Sequence, residues 1–225
     1  IIITDNLYIC SGYQYDELEE NARSVFVSNI QLWGPEQSLN NILKYQYPVD
    51  TYKKSIGFYS TGAWIRKLEN HMSQNVDLEK MEEQVKQILK KFCLSNSEYQ
   101  LTIFLHPREK SGKYSQQTVE KYQKDFDGII FHLEKADSSN TFEKADLGIA
   151  FLSTIVFERL YYGFKTILMP IGVEQNFPVS GSNISSICAY SQQELFTKIK
   201  ANIRASNTDF FEKNGIRHYA KFLYS

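Results

Sequence analysis

The chain has 225 residues, with 25 Lys and Arg against 26 Asp and Glu, a formal net charge of -1 and 42% hydrophobic residues. That length holds one large domain, or one domain and part of a second, and is enough to bury a core. The even charge balance offers no basic excess for duplex nucleic acid, and no apolar run approaches the roughly 20 residues of a membrane helix.

In chain order, the first segment is IIITDNLYIC, an apolar start without initiator Met, charged n-region or cleavage signal, so upstream sequence is expected to be missing. Short apolar runs follow at Leu7–Cys10 and Ser24–Ile30, then a turn entering a helix in WGPEQSLNNILKYQY, then the Pro-bearing connection Tyr47–Lys54. Residues 1–54 therefore read as the remnant of a second, N-terminal domain with its linker. Asp16, Glu17, Glu19 and Glu20 among them look like a solvated helical face. Cys10, Cys93 and Cys188 are odd in number, far apart and outside C-x-x-C spacing, which suits buried free thiols in a reducing compartment.

From Ser55 onward strands and helices alternate. SIGFY (Ser55–Tyr59) is an apolar run that leads through the turn Ser60, Thr61, Gly62 into a helical pattern over Ala63–His71. Leu78, Met81, Val85, Ile88, Leu89 and Phe92 recur at the helical period and predict a helix over Leu78–Phe92. A second run, LTIFLHP (Leu101–Pro107), precedes a polar helix near Gln116–Phe126. A third, Gly128–Leu133, holds His132 within an apolar run, which reads as structural, and precedes a short helix near Ser139–Lys144. A fourth run, Leu147–Leu152, leads through Ser153 and Thr154 into a helix carrying Glu158. A fifth, Lys165–Pro170, is followed by a weaker strand over Ser185–Tyr190 and a helix capped by Ser191. Strands apolar on both faces and separated by helices imply a doubly wound, Rossmann-like parallel sheet over residues 55–205. Residues 206–225 form an aromatic-rich helical tail that needs a surface to cover it.

Ligands of such sheets bind beyond the carboxyl ends of the strands. Three polar features fall there: the turn Ser60, Thr61, Gly62; His106 with Pro107; and Ser153 with Thr154. Pro107 restricts His106 to extended backbone, so the imidazole projects over the sheet edge, where it can donate to a phosphate. Ser153 and Thr154 would serve equally as a plain helix cap or as hydroxyl donors to an anion at a helix N-terminus. Glu158, one turn on, is placed either to accept from ribose hydroxyls or to pair with Arg159 or Lys165. Arg108 and Lys110 add positive charge near the phosphates or keep the loop solvated. No G-x-G-x-x-G follows the first strand, and there is no G-x-x-x-x-G-K-[ST], G-x-S-x-G or H-E-x-x-H. Nicotinamide, flavin, P-loop and serine-hydrolase chemistry lose their signatures, and no residue pattern calls for a metal or other cofactor.

With Glu158, Gly163 and the run Lys165–Pro170, this stretch resembles the donor-binding, C-terminal half of GT-B glycosyltransferases. His106-Pro107 together with Ser153-Thr154 is similar to the HP and S-S/T motifs of bacterial sialyltransferases and Kdo-transferase-like enzymes. That resemblance covers about Ser55–Arg204. It implies an inverting, metal-independent transfer of a CMP-activated acidic sugar to a glycan or glycolipid acceptor in surface polysaccharide or lipooligosaccharide assembly. His106 would contact the phosphate and assist its departure, Ser153 and Thr154 would bind that phosphate, and Glu158 the ribose. A cytoplasmic location follows, with room for peripheral association at the inner face of the membrane. The acidic motif that carries the family's catalytic base in its N-terminal, acceptor-side domain is not found in residues 1–54. A UDP- or GDP-sugar transferase, a sugar-nucleotide epimerase and a non-catalytic α/β binding module stay open as alternatives.

Overall fold

The computed structural model describes residues 2–9, 25–32, 45, 54–69, 77–151, 153, 155–172 and 183–216. Strands β1 (Ile2–Ile9) and β2 (Val25–Leu32) pair in parallel as a two-stranded sheet of their own. The stretch carrying Asp16, Glu17, Glu19 and Glu20 lies outside the described residues, as do Cys10, His71 and Thr154.

The main sheet holds β3 (Ser55–Tyr59), β4 (Gln100–Phe104), β5 (Phe131–Glu134), β6 (Leu147–Ala150) and β7 (Thr166–Leu168). All pairs are parallel, in the order β5-β4-β3-β6-β7. The helices are α1 (Ala63–Leu68), α2 (Leu78–Ser95), α3 (Pro107–Lys110), α4 (Ser115–Asp125), α5 (Ile155–Tyr161), α6 (Gln192–Asn202) and α7 (Asn207–Asn214). The domain is a doubly wound, Rossmann-like α/β sheet. Its order reverses between β3 and β6, and that switch point is where such sheets open a crevice.

Alternation along the strands feeds two cores. Ile56, Phe58, Leu101, Ile103, Leu147, Ile149 and Ile167 face one side, packed with Val85, Leu89 and Phe92 of α2 and Leu195 and Ile199 of α6. Tyr59, Phe104, Ala150 and Leu168 face the other, against Val156 and Leu160 of α5 and Phe210 and Phe211 of α7. Period-two burial on both faces is what makes β3, β4, β6 and β7 read as continuous apolar runs. Phe210 and Phe211 thus belong to this second core.

On that second face Arg159 is fully buried, with Gly148 beneath it: a Cβ there would lie 2.5 Å from its Nε. Arg159 donates to the Tyr59 hydroxyl (2.7 Å), the carbonyls of Phe142, Ala145 and Lys165, and Thr166 Oγ1. Tyr59, Phe142 and Phe164 stand within 5.3–5.4 Å of its guanidinium carbon. Its charge is held by neutral acceptors and ring faces, which satisfies the donors of a side chain that would otherwise be costly to bury.

Four expectations need correction. β5 begins at Phe131 rather than Gly128, because the amide of Ile129 bonds back to Phe126 O (3.1 Å) and uses the intervening residues to turn. Consequently His132 lies on the edge strand with an exposed side chain, 3.8 Å from Glu134. The helix expected at Ser139–Lys144 is two short 3-10 turns, Ser138–Asn140 and Phe142–Lys144. There Asp137 caps the amide of Ser139 and Thr141 Oγ1 donates to Asp137 O, local bonds that compete with a longer helix. The strand expected at Ser185–Tyr190 shrinks to one bridge, Leu168 to Cys188, behind a 3-10 turn over Asn183–Ile187. The polar groups of Ser186 turn instead to Asn214 and Lys198.

Cys93 and Cys188 are buried free thiols, pushed up to about 12 and about 11, chiefly by burial. Among the described residues, no helix is long and apolar enough to cross a membrane, and no cluster of three His, Cys, Asp or Glu side chains could hold a metal ion.

Candidate functional site

Beyond the carboxyl ends of β3, β4 and β6 a cleft of ≈ 550 Å³ opens, within the range of small-molecule sites. Ser60, Thr61, His106, Pro107, Ser153 and Glu158 all line it. Arg66, Lys110, Asp137, Ser138 and Ser139 complete its polar wall. A larger open groove of ≈ 1170 Å³ runs along α2 and α4, but solvated charges rim it, including the pair Lys67–Glu79 at 2.7 Å. Convergent polar groups at the switch point distinguish the smaller cleft.

The first loop, Ser60 to Gly62, turns sharply because Gly62 adopts φ 63, a left-handed conformation that a side chain disfavours. A Cβ at Gly62 would also meet His106 Nδ1 at 3.0 Å. The amides of Thr61 and Ala63 donate to the two oxygens of Glu82, at 2.7 and 3.3 Å, and the amide of Gly62 donates to Ser60 Oγ at 3.0 Å. This turn therefore offers the cleft its side chains rather than its backbone. The Thr61 side chain is buried beside the same Glu82 carboxyl and, with the amide, counters the rise that burial imposes on it.

The second loop carries His106 in extended backbone (φ -63, ψ 149), as a residue before Pro should be. His106 caps α3: its Nδ1 accepts from the Arg108 amide at 3.2 Å, and its own amide donates to Glu109 Oε2 at 2.8 Å. The buried Glu109 also accepts from Trp64 Nε1 (2.7 Å) and the Tyr122 hydroxyl (3.0 Å). Arg66 Nη2 stands 3.4 Å from His106 Nε2, so a neutral imidazole accepts from Arg66 or from the Arg108 amide and not from both. Burial, with Arg66, Arg108 and Lys110 nearby, pulls His106 down to about 4, so it stands in the cleft as a neutral imidazole at neutral pH. Arg108 itself turns away to Glu69 at 2.7 Å, whereas Lys110 stays on the wall and donates to Ala136 O.

The third loop brings Ser153 to the cleft just before α5, with its carbonyl accepting from the Val156 amide at 3.2 Å. Glu158, one turn into α5, does not pair with Arg159 or Lys165, since both point into the core. Its half-buried carboxyl faces the cleft and is pushed up to about 7 by burial and by the Asp137 carboxylate. Arg66, Asp137, Ser138 and Ser139 escape a reading by motif. Arg66 lies in mid-helix, and the other three lie in a loop after an edge strand, so only the assembled sheet brings them together.

No family model matches this chain, and no curated protein matches it. Among solved structures, a point mutant of an O-GlcNAc transferase from Thermobaculum terrenum matches at TM-score 0.47 and 12% identity, over 76% of this chain and 34% of that one. A pneumococcal O-GlcNAc transferase in complex with UDP and GlcNAc matches at TM-score 0.41 and 13% identity, over 98% of this chain and 41% of that one. The chain thus spans less than half the length of each.

Proposed function

We propose that this chain carries the donor-binding half of a GT-B glycosyltransferase and holds a nucleotide-activated sugar in the switch-point cleft. The observation supporting it most is that the ends of β3, β4 and β6 contribute hydroxyls, a neutral imidazole and a carboxyl to one nucleotide-sized hollow. In this reading His106 and the hydroxyls of Ser153 and Thr154 donate to the phosphate, Ser60 and Thr61 line the transferred group, and Glu158 accepts from the ribose. The acceptor oxygen bonds to the anomeric carbon and gives its proton to a carboxylate base of the acceptor-side domain. The bond from that carbon to the phosphate oxygen breaks, its electron pair stays on the phosphate, and the configuration inverts. A CMP-linked acidic sugar is the leading donor, and a glycan or glycolipid of surface polysaccharide the acceptor.

The test is a thermal-shift series with CMP, CDP, UDP, GDP and NAD on the wild type, His106→Ala and Ser153→Ala. A ligand at 100 times its Kd adds about 2.7 kcal/mol of stability. CMP is expected to raise the midpoint most, with both substitutions reducing the gain. A preference for UDP or GDP changes the donor and keeps the site. A well-folded sample indifferent to every nucleotide removes the transferase reading in favour of a non-catalytic binding module.

A further inference from the structure

Arg66 stands in α1 with three features that its neighbours do not explain. Its Nη2 lies 3.4 Å from His106 Nε2, its Nε is buried without a partner, and no carboxylate among the described residues forms an ion pair with it. The nearest acid on its own segment, Glu69, is committed to Arg108 at 2.7 Å and to the Tyr114 hydroxyl at 2.9 Å. A neutral imidazole accepts at one ring nitrogen, yet the Arg108 amide stands 3.2 Å from Nδ1 and the Arg66 guanidinium 3.4 Å from Nε2, so His106 accepts from only one of them. The Arg66 contact is the longer of the two, which leaves guanidinium N–H groups for a ligand in the cleft. Thr61 adds a hydroxyl to the same wall, beside the Glu82 carboxyl. A donor carrying a permanent charge is complementary to an oxyanion.

We propose that Arg66 contacts the donor's phosphate oxyanion and supplies the positive charge there, with the neutral imidazole of His106 beside it. The assignment rests on the nucleotide-sugar reading of the cleft and moves the charge from the motif histidine to a residue outside every motif. Lys110, the other cation of the wall, is held by Ala136 O, while Asp137 and Glu158 line the same wall as carboxyl groups. The guanidinium beside His106 is accordingly the cation that meets the phosphate.

Calorimetric titration of the full chain at pH 7.5 tests this, with CMP against cytidine and UDP against uridine as probes. Losing a charge-assisted hydrogen bond costs roughly tenfold to a hundredfold in affinity. Arg66→Gln is expected to weaken the nucleotide by that factor and leave the nucleoside unchanged. Arg66→Lys, which keeps the charge and loses the fork, is expected to fall between. Thermal melts of both variants check folding. Equal loss for nucleotide and nucleoside would assign Arg66 a structural role and overturn the proposal, as would an unchanged nucleotide affinity. A wild type that binds neither nucleotide defeats the nucleotide reading itself, a result distinct from a wild type that binds and a variant that binds equally well.

Discussion

Two titratable residues of the cleft are displaced in opposite directions, and each displacement has a visible origin. His106 is half-buried among Arg66, Arg108 and Lys110, so its charged form is penalised by burial and by like charge. Being depressed from 6.5 to about 4, it contributes stability above pH 6.5 that is lost as the pH falls toward 4. Glu158 has no cation against it among the described residues and the Asp137 carboxylate nearby, so it is raised to about 7. A raised carboxyl contributes stability below its usual range that is lost as the pH climbs through 7. Glu158→Gln, which cannot ionise, is therefore expected to raise the melting midpoint at pH 8 and leave it nearly unchanged at pH 4. Calorimetric melts of the pair at both pH values measure this, and an equal shift at both would show that the carboxyl does not titrate as argued.

At the scale of elements, two buried carboxylates behind the cleft hold its loops. Glu82 of α2 is 3% exposed and grips the amides of Thr61 and Ala63, while Glu109 of α3 grips the amide of His106 and the side chains of Trp64 and Tyr122. Burial, with Glu109 nearby, raises the Glu82 carboxyl, and the Thr61 amide and Lys86 counter it. Lys86 in turn pairs with Asp125 and, at 2.7 Å, with Glu83. Such a network positions loops at the cost of taking charges from water, and removing one member leaves buried donors unmet. Glu82→Ala is expected to cost about 2–4 kcal/mol in urea unfolding, because two buried amides lose their acceptor. A change below about 0.5 kcal/mol, typical of an exposed site, would contradict it.

For the whole molecule, the second core depends on segments distant in sequence. Tyr45, from the stretch before the sheet, donates to Glu143 Oε2 at 3.1 Å, accepts from the Phe142 amide at 3.2 Å and packs on Phe142, Tyr162 and Phe164. At the other end of the described chain α7, started by the capping box of Ser206 and Asp209, places Phe210 and Phe211 in the same core. Residues on either side of the domain thereby complete the layer over Arg159. Phe210→Ala is expected to destabilise the fold by about 3–5 kcal/mol, the usual loss for a fully buried ring. Denaturant unfolding measures it, and a loss under 1 kcal/mol would mean that α7 is only loosely attached.

The sequence by itself determined the layered parallel sheet, since β3, β4, β6 and β7 are short apolar runs buried on both faces and α2 has unbroken helical periodicity. It also picked out Ser60, Thr61, His106, Pro107, Ser153 and Glu158 as residues of one rim, because position after a strand is a local property. Tertiary structure decided the rest. Whether Ser185–Tyr190 pairs as a strand depends on where Asn214 and Lys198 stand, and whether Gly128–Ile130 joins β5 depends on how α4 ends. Arg66 and Arg159 show the limit most clearly. Both are arginines in short helices beside the same cleft, yet Gly148, Tyr59 and Phe142 draw one into the core, and His106 holds the other at the cleft wall. Phe142 and Tyr59 lie 17 and 100 residues from Arg159, and His106 lies 40 from Arg66, so no local pattern of charge or period could assign the two guanidinium groups their places.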